Sequence, residues 1–435
     1  MVVMGGIIGS GIFINPYVVA KLVHTPAMIL GAWVVGGVLA LIGAFVYAEL
    51  ADRMPEVGGQ YAYIREAYHP VLGFLFGWAE LFVIGAGGSA AVVVTFARYF
   101  RDLAQISTPV NLIAAVTVAA LILINCLGVR AGSGVQSLFM VLRIVGIAML
   151  VGCGAWFLWH HGAPGVAWHP ILDRPVSFDL LTVFGATMIP IMFAYGGWQT
   201  SNFIAGEIRE PRKNLPRALL IGVIGVIVLY VSVNFICVET LTPAGLAATG
   251  TPASAVMRHV LGGFGERLIA VAIAISTIGF LSQSMLTYPR LYFAMAEDGV
   301  LPRGIARLSA QSRAPVAAIA LQGAVTLAVV LLGTFEQILS YVVVMDWLFF
   351  GLTASCIFVF RARERRADAD DAPPGYRVPG HPWTTALFTA AAWLIVLNTI
   401  YKYPRNSAVA LCILFAGVPV YIALQWFARR AGAAK

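Results

Sequence analysis

Ile8-Gly9-Ser10-Gly11-Ile12 interrupts the first long apolar run of this chain, and Phe193-Ala194-Tyr195-Gly196-Gly197-Trp198 interrupts the sixth. Inside a bilayer, a backbone group without a helical partner is costly, so unwound backbone persists only where it lines a cavity or binds something. A pair of interrupted membrane helices at matching places in two halves marks the substrate site of a secondary transporter. The competing reading is that Gly-x-Gly lets helices pack closely, as small-residue motifs do in membranes. Two such breaks in corresponding positions favour the site.

The composition agrees with a membrane class. Of the 435 residues, 60% are hydrophobic and 11% charged, and the mean hydropathy is +0.86. A soluble domain carries about 25% charged residues. The net charge of +8 is spread between apolar runs rather than gathered in a basic block, which argues against nucleic-acid binding. Cys126, Cys153, Cys237, Cys356 and Cys412 all lie in apolar runs without CxxC or CxxH spacing, so neither a disulfide framework nor a metal site is expected. The first apolar run lacks a basic leader and a cleavage site, so it reads as a span and not as a signal peptide.

With about 20 apolar residues needed to cross a bilayer, twelve spans emerge: 1–23, 27–51, 71–100, 109–128, 133–159, 180–206, 214–240, 264–296, 315–333, 336–360, 383–402 and 405–428. The expected fold is therefore all-α and polytopic. Residues 1–159 and 180–360 read as two five-helix units of opposite topology, a 5+5 inverted repeat with the first helix of each unit broken. Residues 361–382 read as a cytoplasmic linker, in which Arg361–Arg366 precede Asp368, Asp370 and Asp371, and residues 383–435 as two peripheral helices. If the N-terminus is cytoplasmic, 19 of the 28 Lys and Arg fall on the inner side and 7 on the outer, with Lys21 and Arg143 inside spans. This bias places both termini in the cytoplasm.

At the first break, the amides of Ser10, Gly11 and Ile12 open a half-helix whose dipole end favours a carboxylate. Gly9 and Gly11 let a ligand approach the backbone. At the second break, carbonyls freed before Gly196 suit an ammonium. The two sites together would hold both ends of a zwitterion.

The residues resemble a known family at this point. Gly9-Ser10-Gly11-Ile12-Phe13, Tyr47-Ala48-Glu49-Leu50, Pro55-Glu56-Val57-Gly58-Gly59-Gln60-Tyr61-Ala62-Tyr63, and Phe193 to Trp198 followed by Glu207, Pro211, Asn214, Leu215 and Pro216 are similar, in order and spacing, to signatures of the amino acid–polyamine–organocation (APC) superfamily. The likeness is to its L-type amino acid transporter branch and bacterial relatives. It implies the leucine-transporter-like fold and alternating access for amino acids. It implies substrate carboxylate contacts around Ser10 and Gly11, and amine contacts through backbone near Ile7 and Phe193, Ala194 and Tyr195. It further implies a gating aromatic at Phe193 and a small residue beside the ligand at Gly196. Family members usually carry a cytoplasmic leader ahead of the first span. Animal L-type transporters link a glycoprotein through a cysteine in the loop between spans 3 and 4. This loop has none, so no disulfide-linked accessory subunit is expected.

Arg143 lies mid-span, where a charge costs at least ~2.5–3.5 kcal/mol. Sodium-independent members of the family often carry Lys here, its ammonium replacing a sodium ion between spans 1 and 8. Arg143 is expected to do the same electrostatic work, donating to carbonyls near Gly9 and to Ser276 or Thr277. Arginine keeps its proton, so sodium independence is expected, without proton coupling through this residue. Glu80 is an intramembrane acid, read as a structural hydrogen-bonding group, as a counter-ion of Arg143 or as a proton carrier; Asp346 carries the same ambiguity. Glu49 and Glu207 read as latches near cytoplasmic helix ends. Ile84, Gly87, Gly88, Gln199 and Gln283 are expected to line an uncharged side-chain pocket.

The resulting expectation is a carrier that exchanges or facilitates small neutral L-amino acids. The alternative is a proton-coupled carrier, or one for cationic amino acids or polyamines with Glu80 as the selecting charge. A channel wants a continuous polar lining. An enzyme would need a convergent reactive set, and no HExxH or GxSxG occurs. No cofactor is implied.

Overall fold

The computed structural model describes residues 2–55, 58–126, 133–162, 165–309, 315–332, 335–366 and 375–433. Glu56, Val57, Asp368, Asp370 and Asp371 lie outside the described residues, as does the side chain of Glu207. Among the described residues the regular elements are all helical.

Both interruptions are breaks in the helix. The first span is α1 (Val2–Ile7) and α2 (Gly11–Leu22), separated at Ile8-Gly9-Ser10. The sixth is α9 (Phe178–Tyr195), a turn at Gly196-Gly197, and a 3-10 segment Trp198–Glu207. Between them lie α3 (Pro26–Arg53), α4 (Gln60–Ala67), α5 (Pro70–Ala79) running through a π-helical turn Glu80–Ile84 into α6 (Gly85–Ala104), α7 (Val110–Cys126) and α8 (Ser133–His161). After the sixth span come α10 (Pro211–Ala248), α11 (Pro252–Glu297), α12 (Val316–Leu332), α13 (Phe335–Arg366), α14 (Trp383–Lys402) and α15 (Pro404–Ala433).

Among the described residues nine helices are long and apolar enough to cross a membrane, and α2, α7 and α12 are shorter apolar helices. Together they occupy the twelve expected spans. Proline opens α3, α5, α10, α11 and α15, where its missing N–H costs nothing and its fixed φ suits the first turn. Thr25 and Ser177 cap α3 and α9 by accepting from Met28 N (3.3 Å) and Leu180 N (3.3 Å). α10 kinks at Thr242 and α11 at Gly262, so each long run is a span joined to a shorter outer piece. α13 continues through Arg366, six residues into the segment expected to be a linker. Large apolar side chains such as Leu123, Ile221, Leu394 and Phe415 point outward, a surface that lipid covers at no cost.

The broken helices lie side by side and antiparallel. α2 packs on α9, and α1 packs on the 3-10 segment after α9. α3 runs along α10, and α11 packs against both α6 and α8. The two breaks therefore meet at one level in the middle of the bundle.

Candidate functional site

The breaks face each other across a cavity of ≈ 50 Å³ walled by Gly6, Ile7, Gly9, Ser10, Gly11, Phe193, Gly196, Gly197 and Gln199, with α6, α11 and α13 closing the sides. A water needs about 10–15 Å³ on this measure, so the space suits a ligand of only several heavy atoms. A Cβ on Gly6 would stand 2.5 Å from the Gly197 carbonyl, and Gly197 sits at φ +97°. Only glycine permits both that approach and that dihedral.

One end of the cavity is a donor site. Ser10 precedes α2 without capping it, and the first turn of α2 holds no acidic residue. The first amides of a helix have no internal partner. The Ser10 hydroxyl is 1% exposed and has no partner. A buried orphan donor beside free amides is costly unless an acceptor arrives.

The other end gathers acceptors. The position a Cβ would take on Gly196 lies 3.3 Å from Met192 O, 3.5 Å from Phe193 O and 3.6 Å from Asp346 Oδ2. Asp346 is 8% exposed and reaches the cavity from α13. Gln199 joins this end, its Oε1 accepting from Gly197 N (2.9 Å) and its Nε2 donating to Asp346 Oδ1 (3.5 Å).

Behind the first break, Arg143 is 2% exposed and donates through Nη1 to the carbonyls of Gly5 (2.7 Å) and Ile8 (3.3 Å). Tyr230 donates to Ile7 O (3.2 Å), and Ile8 N donates to Met4 O (2.8 Å). The carbonyls of Met4, Gly5, Ile7 and Ile8 around the end of α1 are thus satisfied without water. Ser276 and Thr277 do not share in this. The Thr277 hydroxyl bonds back to Ile273 O (2.8 Å) in its own helix, and the Ser276 hydroxyl has no partner. Gly279 on α11 makes the room, since a Cβ there would stand 2.6 Å from Arg143 Nη2 and 2.9 Å from Phe139 Cβ. Gly279→Ala is expected to displace the guanidinium, to cost about 1–3 kcal/mol of overpacking and to cut the transport rate at least fivefold, read from a thermal melt beside initial uptake rates.

Several expected contacts lie outside the cavity wall. Ile12 is fully buried inside α2. Ala194 packs against Gly11, where a Cβ would stand 2.7 Å from Ala194 Cα; close packing and cavity lining coincide at that glycine. Tyr195 turns away, donating to Trp33 O (3.1 Å) and packing on the rings of Trp33 and Tyr230. Gly87 faces a separate apolar groove beside α12 and α15. Gln283 borders a neighbouring pocket of ≈ 10 Å³ that Phe280 and Tyr288 share with the main cavity. Ile84 and Gly88 do line the wall. Glu80 opens the π-turn, 1% exposed, and its Oε1 has no partner, so it does not pair with Arg143. Val92, Phe280, Tyr288, Val342, Val343 and Asp346 complete the wall without having been expected there. Asp346 carried a signal, as a carboxylate inside a span; the apolar residues carried none.

The family described as Amino acid permease matches residues 1–424. This chain belongs to that family. It is similar to the serine/threonine exchanger SteT of Bacillus subtilis (strain 168), 30% identical over 97% of this chain and 94% of the relative. It is also similar to the large neutral amino acids transporter small subunit 2 of Mus musculus, 28% identical over 98% of this chain and 80% of the relative. The human cystine/glutamate transporter is 26% identical over 97% of this chain and 82% of the relative. The protein is thus a multi-pass membrane transporter for amino acids and not an enzyme.

Proposed function

We propose that this permease exchanges small neutral L-amino acids by alternating access, independently of sodium. The observation that carries this is the single cavity with donors at one end and acceptors at the other, closed to a few heavy atoms beyond a zwitterion. The substrate carboxylate takes the Ser10 hydroxyl and the first amides of α2. The ammonium takes the carbonyls beside Gly196 together with Asp346. Ile84, Gly88 and Val92 leave space for a short side chain, in keeping with the serine/threonine exchanger among the relatives. One carboxylate then serves one ammonium, and a cationic side chain would find no second acid in the wall. Phe193 closes over the ligand as the gating aromatic.

Sodium independence rests on Arg143, whose fixed cation already satisfies the α1 carbonyls beside α11. The packing of α2 on α9, α3 on α10, α6 on α11 and α7 on α12 supports reading residues 1–159 and 180–360 as inverted repeats. Both termini are assigned to the cytoplasm by the charge bias. Residues 105–109, which join α6 to α7, contain no cysteine, so no disulfide-linked subunit is expected there.

Proteoliposomes test the reading. Uptake of labelled serine or alanine should accelerate when unlabelled serine is loaded inside and should not change when sodium is replaced by choline. Abolition of uptake without sodium, or conductance that does not saturate, would refute it. Asp346→Asn keeps the shape and removes the charge. A hydrogen bond to a charged group contributes about 1.5–3 kcal/mol, so KM for serine should rise about 10- to 100-fold, and an unchanged KM would remove Asp346 from the amine site.

A further inference from the structure

Away from the substrate cavity, a recess of ≈ 370 Å³ opens where α3, α10, α13 and the segment leading into α14 meet. Its wall holds Arg53, Arg212, Lys213 and Arg377 against Asp52 and Glu364. Both carboxylates are already engaged. Asp52 accepts from Tyr376 N (2.9 Å), and Glu364 pairs with Arg53, which also serves Glu49. Lys213 has one distant, exposed neighbour, Glu210 at 3.8 Å. Among the described residues, Arg212 and Arg377 have no acidic partner. Arg212 and Lys213 occupy the first turn of α10, which contains no acidic residue and whose N-cap, Glu210, makes no capping bond. Cations at the positive end of a helix repel its dipole. Among the described residues the recess wall therefore sets four cations against two carboxylates, an excess of positive charge.

The face of α10 that starts at this recess continues into lipid. Lys213, Arg217, Ile221, Ile224 and Val228 succeed one another at spacings of three and four residues, and all are exposed. A ligand held by the basic end would lay an apolar tail along Ile221, Ile224 and Val228. Recesses lined by Arg and Lys at the membrane edge of a helix bundle suit phosphate headgroups, and the planar guanidinium matches phosphate oxygens two at a time.

We infer that Arg212, Lys213 and Arg377 form a binding site for the phosphate of an anionic phospholipid, with the acyl chain on the exposed face of α10. A zwitterionic headgroup brings its own cation and is disfavoured there. The site is independent of the amino acid reading, because its test measures no transport.

The experiment is native mass spectrometry of the purified full chain in detergent, titrated with phosphatidylglycerol, phosphatidylcholine and, separately, sn-glycerol 3-phosphate. The wild type should retain phosphatidylglycerol over phosphatidylcholine. Each cation contributes about fivefold near a charged surface, so Arg377→Gln should weaken phosphatidylglycerol binding about fivefold, and Arg212→Gln combined with Arg377→Gln about 30-fold. Arg303→Gln with Arg307→Gln, which removes two cations elsewhere, should leave it within twofold. Wild-type binding by the double variant would overturn the site, as would equal loss in the Arg303/Arg307 control. Equal molar affinity for sn-glycerol 3-phosphate would overturn the lipid assignment by showing that the acyl chain is not read.

Discussion

Arg143→Ala is expected to abolish exchange and to lower stability by about 2–6 kcal/mol. The substitution leaves the carbonyls of Gly5 and Ile8 buried without a donor, and each unpaired buried group costs about 1–3 kcal/mol. No water from a bilayer core can replace the guanidinium. With its end unsupported, α1 should lose the geometry that aims the first amides of α2 at the cavity. Function therefore fails even where the protein still folds. Arg143→Lys separates the two effects. Its ammonium keeps a cation within reach of one carbonyl, so partial stability should return. A buried lysine can lose its proton where arginine does not, so exchange by that variant should fall as pH rises while the wild type stays flat over the same range. A lysine variant with a flat profile and wild-type rate would show that charge at this position is not what holds the break.

Glu49→Ala is expected to cost about 3–5 kcal/mol without touching the substrate site. Glu49 is fully buried at the end of α3 and accepts from Arg53 Nη2 (2.8 Å), Arg361 Nε (2.9 Å), Arg361 Nη2 (2.6 Å) and Val378 N (2.7 Å). Its loss strands the Arg361 guanidinium and a backbone amide at the junction of α3, α13 and the segment before α14, and leaves Arg53 with Glu364 alone. Removing one partner of a buried ion pair carries a penalty of that size because the remaining charge stays desolvated. Against a total stability of about 5–15 kcal/mol, the melting transition in detergent should move down sharply or folded protein should fail to accumulate. Glu49→Gln, which retains an acceptor, should fall between. Asp298→Ala is the comparison, since its pairing with Arg65 is partly exposed, at 36% for the Asp298 side chain and 27% for Arg65. Screened pairs of that kind contribute about 0–1 kcal/mol. A larger loss from Asp298→Ala than from Glu49→Ala would show that burial is not what sets the strength of these contacts.

The breaks at Gly9 and Gly196 were legible because lipid removes the alternatives. Where every backbone group must find a partner inside the chain, a glycine cluster in an apolar run is a visible departure. The ion pairing of Glu49 was legible for the same reason, as a carboxylate near a helix end with arginines close by, although its partners Arg53 and Arg361 sit in helices and not in loops. Ser276 and Thr277 illustrate the opposite case. Each has the right chemistry at the right depth, but a hydroxyl in a helix can bond its own preceding carbonyl, as Thr277 does, and sequence does not say which option is taken. Gly87 and Gly88 are adjacent and chemically alike, yet the helix turn sends one to an apolar groove and the other to the cavity. The π-turn at Glu80–Ile84 adds a residue to that helix and shifts its faces, so simple helical counting misplaces the side chains of α6.

By itself the sequence determined the all-helical membrane class, the order of the spans and the two points where helices stop, since each depends on local apolar length and on glycine within it. Only the tertiary structure decided which side chains meet at those points. Asp346 joins the acceptors beside Gly196 from a helix about 150 residues away, and Gly279 grants Arg143 its place from another. Such meetings depend on the rotation of each helix about its axis, which packing against several neighbours sets and no single stretch of chain encodes.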